Sequence, residues 1–247
     1  MKRIVILQPG YIPWLGFFEQ MYRCDAFVFL DDVQFTKNDW RNRNRIKTKN
    51  GTQWLTIPVA RQFGQKITDT VIDSKTKWHK KHLQSLRTWY GKSVFFKDYI
   101  ADIENIYARN LSYLADVDIK IILWINKALG ISCEITRSSE LSLQSDDRQL
   151  RLVEICKTLN GSHFYEGKSG KDYMDIEIFE SHGITVEFQD YHHPYYNQLW
   201  QREQGFISHL SIIDLLFNHG DDSLAILTGQ KVIPVPEGLV VRHAHDV

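Results

Sequence analysis

Residues 4–32 read IVILQPGYIPWLGFFEQMYRCDAFVFLDD, and this stretch decides the fold. The short apolar runs at residues 4–7 and 26–30 predict buried strands. Between them, residues 14–23 have a helical pattern, and Pro13 stands at the start of the helix, where its missing N–H costs nothing. A strand, a loop, a helix and a second strand in this order predict two neighbouring parallel strands.

The rest of the chain extends this pattern. Residues 45–49 and 53–59 flank Asn50-Gly51, a strong sequence signal for a β-hairpin, and residues 76–130 carry apolar side chains at helical spacing. Further on, short apolar runs alternate with helical patterns. We therefore predict an α/β fold with a mostly parallel Rossmann-like sheet, a helical layer or insertion and a β-hairpin. Residues 1–230 are predicted to form a single domain, and residues 231–247 an extended or disordered tail.

Composition excludes several classes of function. The 247 residues include 30 Lys and Arg and 30 Asp and Glu, so the formal net charge is zero, which argues against DNA binding. The cysteines Cys24, Cys133 and Cys156 match no metal-ligand spacing and predict a reduced chain. No apolar run is long enough for a transmembrane helix, and the run at residues 4–7 is too short for a targeting segment. We expect a cytoplasmic protein.

The loop at residues 8–16 follows a strand and opens a helix. This position lies at the carboxyl edge of the sheet, where α/β proteins bind ligands. We predict that Gln8, Gly10 and Tyr11 contact a phosphate-bearing substrate there, because exposed N–H groups at a helix start favour an anion. An ordinary tight turn between a strand and a helix explains the same residues equally well.

Residues 31–45, DDVQFTKNDWRNRNR, also follow a predicted strand. Guanidinium groups suit phosphate or carboxylate, and asparagine amides suit sugar hydroxyls. The predicted substrate-binding residues in this block are Gln34, Lys37, Arg41, Asn42 and Arg43. Arg41 and Arg43 would share one face of a strand and clamp one phosphate group, and Asp32 is a candidate general base. A solvated edge strand is the alternative, and the neutral chain disfavours RNA binding.

Two further segments carry polar residues. Residues 165–173, YEGKSGKDY, again suggest a strand, a loop and a helix, although their spacing differs from that of a Walker A loop. The predicted substrate contacts there are Lys168, Ser169, Gly170 and Tyr173, and a common surface turn is the alternative. Residues 191–198, YHHPYYNQ, provide His193 as a second candidate general base. We expect the loops after the strands to share one cleft with His193.

Six segments occur together and in order in a way that resembles the WbqC-like family. They are QPGYIPWLGFFEQM (8–21), FVFLDDVQFTKNDWRNRNRIKTKNG (27–51), WLTIPV (54–59), YEGKSGKDYM (165–174), HHPYYNQ (192–198) and HLSIIDLLFNHG (209–220). This family is associated with O-antigen gene clusters, so the resemblance implies bacterial surface-polysaccharide and lipopolysaccharide biosynthesis. The first strand, loop and helix also look like a nucleotidylyltransferase domain. Residues 13–16 lack both histidines of its HxGH-like signature, which disfavours adenylyl transfer of that type.

The resemblance and the polar loops together predict a transferase. It would move an acyl or aminoacyl group onto a nucleotide-activated or lipid-linked amino sugar, so its ligand is a phosphorylated small molecule such as a nucleotide sugar. Two alternatives stay open. One is nucleotidylyl transfer with Mg²⁺ held by Asp31 or Asp32. The other is a non-catalytic protein that binds a sugar nucleotide or a partner, because no residue stands out as a nucleophile.

Overall fold

The computed structural model describes residues 1–36, 39–60 and 63–244. Its strands are β1 (Arg3–Leu7), β2 (Ala26–Phe29), β3 (Arg43–Thr48), β4 (Gly51–Thr56), β5 (Glu134–Arg137), β6 (His163–Glu166), β7 (Thr185–Phe188), β8 (Phe206–Ser208) and β9 (Val241–His243). Its α-helices are α1 (Leu15–Arg23), α2 (Trp78–Tyr90), α3 (Phe96–Ala108), α4 (Leu114–Ala128), α5 (Arg148–Thr158), α6 (Ile176–Glu180), α7 (Gln201–Gln204), α8 (Ile213–His219) and α9 (Ser223–Leu227). Short 3₁₀ helices cover Ser138–Glu140, Lys168–Asp172 and Gly220–Asp222.

The central sheet has five parallel strands in the order β5-β2-β1-β6-β7. The predicted α/β fold is confirmed, and so is the pairing of the first two strands, in which Ile4 lies opposite Ala26 and Leu7 opposite Phe29. On one side of β1 the chain adds β2 and then β5. It then crosses to the other side of β1 and adds β6 and β7. The strand order therefore reverses between β1 and β6, and α/β proteins bind ligands outside the carboxyl ends of the strands at such a point.

Both faces of the sheet are covered at its centre, which explains why the neighbouring strands β1 and β2 are mainly apolar and buried. Val5 and Phe27 point to a large core shared with α1, α2, α3, α4 and α8. Ile4 and Val28 point to a smaller core shared with α5 and α6. Within the described residues, no helix combines the length and the apolar content that crossing a lipid bilayer requires.

The predicted hairpin is confirmed as the antiparallel pair β3 and β4. Thr48 pairs with Gly51, so the two turn residues are Lys49 and Asn50, one position earlier than the Asn50-Gly51 signal indicates. Gly51 begins β4 with φ of 122°, a conformation that glycine adopts without the steric cost of a side chain.

We expect Phe27→Ala to lower the free energy of unfolding by about 3–5 kcal/mol, the usual cost of a large-to-small change in a packed core. Phe27 is fully buried, and its ring contacts those of Phe17 and Phe29 at centroid distances of 5.4 and 5.0 Å. The matched control is Phe63→Ala at an exposed position, with an expected change within about 0.5 kcal/mol. Urea denaturation measures both, and equal losses would contradict this account of the core.

Candidate functional site

A cavity of about 340 Å³ opens beside the carboxyl end of β1. It is lined by Leu7, Gln8, Gly10, Pro13, Trp14, Phe17, Gln20, Trp40, Arg41, Asn44 and His209. These side chains come from the loop after β1, from α1, from the Arg/Asn block and from the segment before α8. The cavity therefore occupies the place where the topology of the sheet predicts a ligand.

The loop after β1 has an unusual backbone that the β3 strand holds in place. Ile12 has φ of 41°, a left-handed conformation that a β-branched residue rarely adopts. The Asn44 side chain donates hydrogen bonds to the carbonyl oxygens of Tyr11 (3.3 Å) and Ile12 (2.8 Å). A Cβ atom at Gly10 would lie 3.0 Å from the Trp40 carbonyl oxygen, so glycine lets the two chain segments approach closely. The loop and the hairpin thus form one unit at the mouth of the cavity.

Tyr11, a predicted substrate contact, points away from the cavity and is fully buried. Burial lowers the pKa of His82 to about 4, so that ring is neutral. Because His82 Nε2 donates to the Thr56 carbonyl (3.1 Å), its Nδ1 accepts from the Tyr11 hydroxyl (2.8 Å). The Tyr107 hydroxyl then donates to that of Tyr11. The Tyr11 hydroxyl is therefore committed to anchoring the loop against α2 and α3.

Arg41 and Gln8, two other predicted contacts, meet in the cavity wall. Arg41 Nε donates to Gln8 Oε1 at 2.5 Å, and the Arg41 guanidinium lies 3.5 Å from the Asp39 carboxylate. Burial lowers the pKa of Arg41, and the nearby carboxylates of Asp39 and Asp118 oppose that shift. Arginine remains charged under such shifts, so the cavity has a fixed cation beside the end of β1.

Within residues 31–45, the Arg/Asn block, Trp40 and Asn44 line the cavity together with Arg41, whereas Asn42, Arg43 and Arg45 are not part of the lining. Asn42 and Asn44 are buried, and Asn42 donates to the Ile57 carbonyl at 2.8 Å. Arg43 and Arg45 lie over the Trp54 ring, with guanidinium carbons 4.3 and 4.4 Å from its centroid. The expected alternation of arginines and asparagines is present, but Arg43 does not join Arg41 in the cavity. Gln34 is exposed away from the cavity, and Lys37 lies outside the described residues.

The two aspartates after β2 are engaged by arginines. Asp31 is fully buried and accepts from Arg137 Nε (2.5 Å), and Asp32 forms an ion pair with Arg151. Ser138 donates to Asp32 as well. A Mg²⁺ ion needs carboxylate oxygens that guanidinium groups have not already taken, so these residues do not fit a magnesium site. Asp32 also lies outside the cavity lining.

His209 is a cavity residue that sequence reasoning missed. It has φ of 59°, and its ring stacks on that of Trp14 at a centroid distance of 5.2 Å. The backbone next to it is clamped, since Ser211 N donates to the Arg45 carbonyl (3.0 Å) and Ile212 N to the Pro13 carbonyl (2.9 Å). The available signal was its place at the start of HLSIIDLLFNHG, a segment with no assigned role.

His193 lies behind His209, with ring centroids 4.9 Å apart. Its Nδ1 donates to the Pro194 carbonyl at 2.9 Å, so Nε2 is the unprotonated nitrogen, and Nε2 has no hydrogen-bond partner within the described chain. Burial, with a smaller effect of His209, lowers the pKa of His193 to about 3. A base this weak is poorly matched to proton transfer near neutral pH.

The third loop, which follows β6 and belongs to the predicted polar segment at residues 165–173, lies at the same edge of the sheet but outside the cavity. Lys168, Ser169 and Tyr173 are exposed, whereas Gly170 is buried against the side chain of Glu166. Glu166 accepts from the Tyr173 hydroxyl at 3.3 Å, and burial raises its pKa to about 7. The structure therefore brings Gln8, Gly10 and Arg41 into one cavity and leaves the residues of the third loop on the adjacent surface.

The sequence model of the WbqC-like protein family matches residues 8–226. The chain belongs to the WbqC-like family. It is also 38% identical over 230 residues to the uncharacterised protein Rv1507c of Mycobacterium tuberculosis, and the match covers 90% of this chain and 96% of that protein. No solved structure matches the chain significantly. The matched region contains every residue that lines the cavity except Leu7.

We expect Gly16→Ala to displace the Trp14 indole, because a Cβ atom at Gly16 would lie 2.2 Å from the Trp14 ring. The Trp14 indole N–H resonance should shift in ¹H–¹⁵N NMR spectra, and the melting temperature should fall. In Gly167→Ala, the matched control, the added Cβ meets no atom closer than 3.8 Å, and both quantities should stay unchanged. An unmoved Trp14 resonance in Gly16→Ala would refute this packing.

The buried His82 predicts acid sensitivity. Its pKa of about 4 in the folded chain lies below the value of about 6.5 of an unfolded histidine. Between these values the unfolded chain binds a proton that the folded chain does not. The free energy of unfolding therefore falls by about 1.4 kcal/mol for each unit by which the pH decreases. Urea titrations from pH 6.5 to 4 should show a shallower fall in His82→Asn than in wild type. The exposed-site control His192→Asn should keep the wild-type slope, and identical slopes in all three proteins would contradict this assignment.

Proposed function

We propose that this protein is a transferase that moves an acyl or aminoacyl group onto a phosphorylated amino sugar bound in the cavity beside β1. The observation that carries the proposal is the position of Arg41, a half-buried cation hydrogen-bonded to Gln8 at the carboxyl end of β1. Membership of the WbqC-like family supports a role in bacterial surface-polysaccharide (O-antigen) biosynthesis. The substrate would be a nucleotide-activated or lipid-linked sugar met in the cytoplasm.

The charge of the cavity supports an anionic ligand. The cavity lining includes one guanidinium group, Arg41, and no carboxylate among the described residues. Phe17 in the first turn of α1 and Trp14 just before the helix also line the cavity, and N–H groups at a helix start favour a phosphate. An arginine in a partly buried wall binds phosphate oxygens strongly, because water competes less there.

The size and the aromatic walls of the cavity support a sugar. Trp14 and Trp40 contribute large flat surfaces, against which the apolar faces of a sugar ring can pack. Ligand pockets commonly measure about 300–1,000 Å³. A volume of about 340 Å³ therefore suits one sugar-sized group, and a nucleotide or lipid portion would extend out of the cavity.

His209 is the proposed general base. Among the described residues that line the cavity, it is the one histidine, and an imidazole can accept a proton. The lining contains no Ser, Thr, Cys or Lys among its described residues, so we propose direct transfer without a covalent enzyme intermediate. The amine or hydroxyl of the sugar attacks the carbonyl carbon of the donor, and its proton passes to His209. The bond between that carbon and the leaving group breaks, and the imidazolium returns the proton to the leaving group.

We favour this reaction over the two alternatives. Nucleotidylyl transfer needs a magnesium ion, and Asp31 and Asp32 are engaged by Arg137 and Arg151. A non-catalytic binding protein would share the ligand but not the reaction. Incubation with sugar phosphates and acyl or aminoacyl donors, followed by mass spectrometry, distinguishes a transferase from a binding protein. A sugar that binds without ever gaining the mass of the transferred group would support the binding protein.

We expect Arg41→Ala to weaken the binding of a sugar 1-phosphate by roughly ten- to a hundredfold, because a partly desolvated charge-assisted contact contributes about 1.5–3 kcal/mol. Arg41→Lys should restore only part of the affinity, since an ammonium group cannot form the two parallel hydrogen bonds of a guanidinium. Isothermal titration calorimetry measures the affinities.

The matched control is Arg87→Ala on the exposed surface of α2, where the arginine pairs with Glu104 at 2.5 Å. Its ligand affinity should equal that of wild type. If Arg41→Ala melts many degrees lower while each folded molecule binds the ligand normally, Arg41 is structural and the proposed function is wrong.

A further inference from the structure

Gln20 on α1 lines the cavity and is 5% exposed. Its Oε1 atom is buried and accepts no hydrogen bond from any described residue. Buried acceptors are almost always paired in folded proteins. An unpaired one in the wall of a candidate ligand cavity indicates that the missing donor belongs to the ligand.

The orientation of the Gln20 amide follows from its neighbours. The Gly16 carbonyl can only accept, so the Gln189 atom 2.9 Å from it must be the amino group, Nε2. The same amino group donates to the Glu19 carboxylate at 2.6 Å. Gln189 therefore presents its oxygen to Gln20, and Gln20 Nε2 donates one of its two N–H groups to that oxygen at 3.2 Å. Gln20 Oε1 is then the acceptor of this amide that has no partner among the described residues.

Glu19 strengthens this arrangement. It is 3% exposed, is ion-paired with Arg23, and accepts from the Tyr165 hydroxyl at 3.3 Å. A carboxylate at one end of a chain of amides polarises each hydrogen bond along it. The negative end of the chain falls on Gln20 Oε1, which makes that atom a better acceptor for an O–H or N–H group.

We propose that Gln20 determines specificity, because its Oε1 accepts a hydrogen bond from a hydroxyl or amino substituent of the bound sugar phosphate. This inference rests on the proposed function, which supplies the phosphate that Arg41 binds. The cavity then recognises two features of one ligand, an anionic group at Arg41 and a hydrogen-bond donor at Gln20. A sugar that lacks a donor at the contacted position leaves the acceptor buried and unpaired, so it binds less well.

The test compares glucose 1-phosphate with its 2-, 3-, 4- and 6-deoxy analogues by isothermal titration calorimetry. We expect one deoxy analogue to bind wild type about tenfold more weakly than the parent sugar. In Gln20→Met, which keeps the length of the side chain but lacks the acceptor, that analogue and the parent should bind equally. The matched control is Gln84→Met on the exposed surface of α2, which should discriminate as wild type does.

A second variant keeps the test decisive if Gln20→Met does not fold. Gln20→Glu retains an acceptor, so it should still discriminate against the same deoxy analogue and should prefer the sugar with an amino group at that position. The inference is overturned if Gln20→Met still binds that analogue more weakly than the parent sugar, or if Gln20→Glu binds the two equally. It is also overturned if wild type binds all five sugars equally.

The two proposals fail in different ways. If sugar phosphates bind and Arg41→Ala weakens them, but the analogues bind alike, only the role of Gln20 is wrong. If no sugar phosphate binds wild type, the proposed function fails and the role of Gln20 fails with it.

Discussion

The two hydrogen bonds from Asn44 to the carbonyl oxygens of Tyr11 and Ile12 are the constraint on which the cavity depends. A left-handed backbone at a β-branched residue costs about 1–3 kcal/mol, and it persists only where its surroundings hold it. Asn44 supplies that hold from β3, and the bond from the Tyr11 hydroxyl to His82 ties the same loop to α2. The strained loop is thus fixed from two sides before any ligand arrives, and a preformed site loses less entropy on binding.

Around this loop, buried polar groups fall into two kinds. Most are paired within the protein, as Asp31 is with Arg137 and the Tyr11 hydroxyl is with His82 and Tyr107. Such groups give the fold a single arrangement and have no capacity left for a ligand. Others, such as Gln20 and His193, have a buried atom without a partner in the described chain, and of those unpaired residues Gln20 is the one that also lines the cavity. Hydrogen-bonding capacity that remains unused marks a binding surface better than the mere presence of polar residues does.

The order of the elements could be predicted from the sequence to a large extent. The apolar runs around β1 and β2 and the asparagine–glycine pair near the hairpin turn are local signals, and each lies within a residue or two of the element it indicates. The loop after β1 could also be placed at a ligand-binding edge, because connections between parallel strands leave their loops at defined ends of the sheet. Gln8, Gly10 and Arg41 were reachable by this reasoning.

What the sequence by itself determined is therefore the architecture and the edge at which a ligand would bind. Only the tertiary structure decided which polar side chains face the cavity. Asp32 lies at the expected edge but is paired with Arg151, far away in the chain. His209 reaches the cavity only because the backbone beside it hydrogen-bonds to Pro13 and Arg45. The periodicity of a sequence predicts on which face of its helix or strand a residue lies. The direction of a loop side chain depends instead on partners that only the tertiary fold brings near.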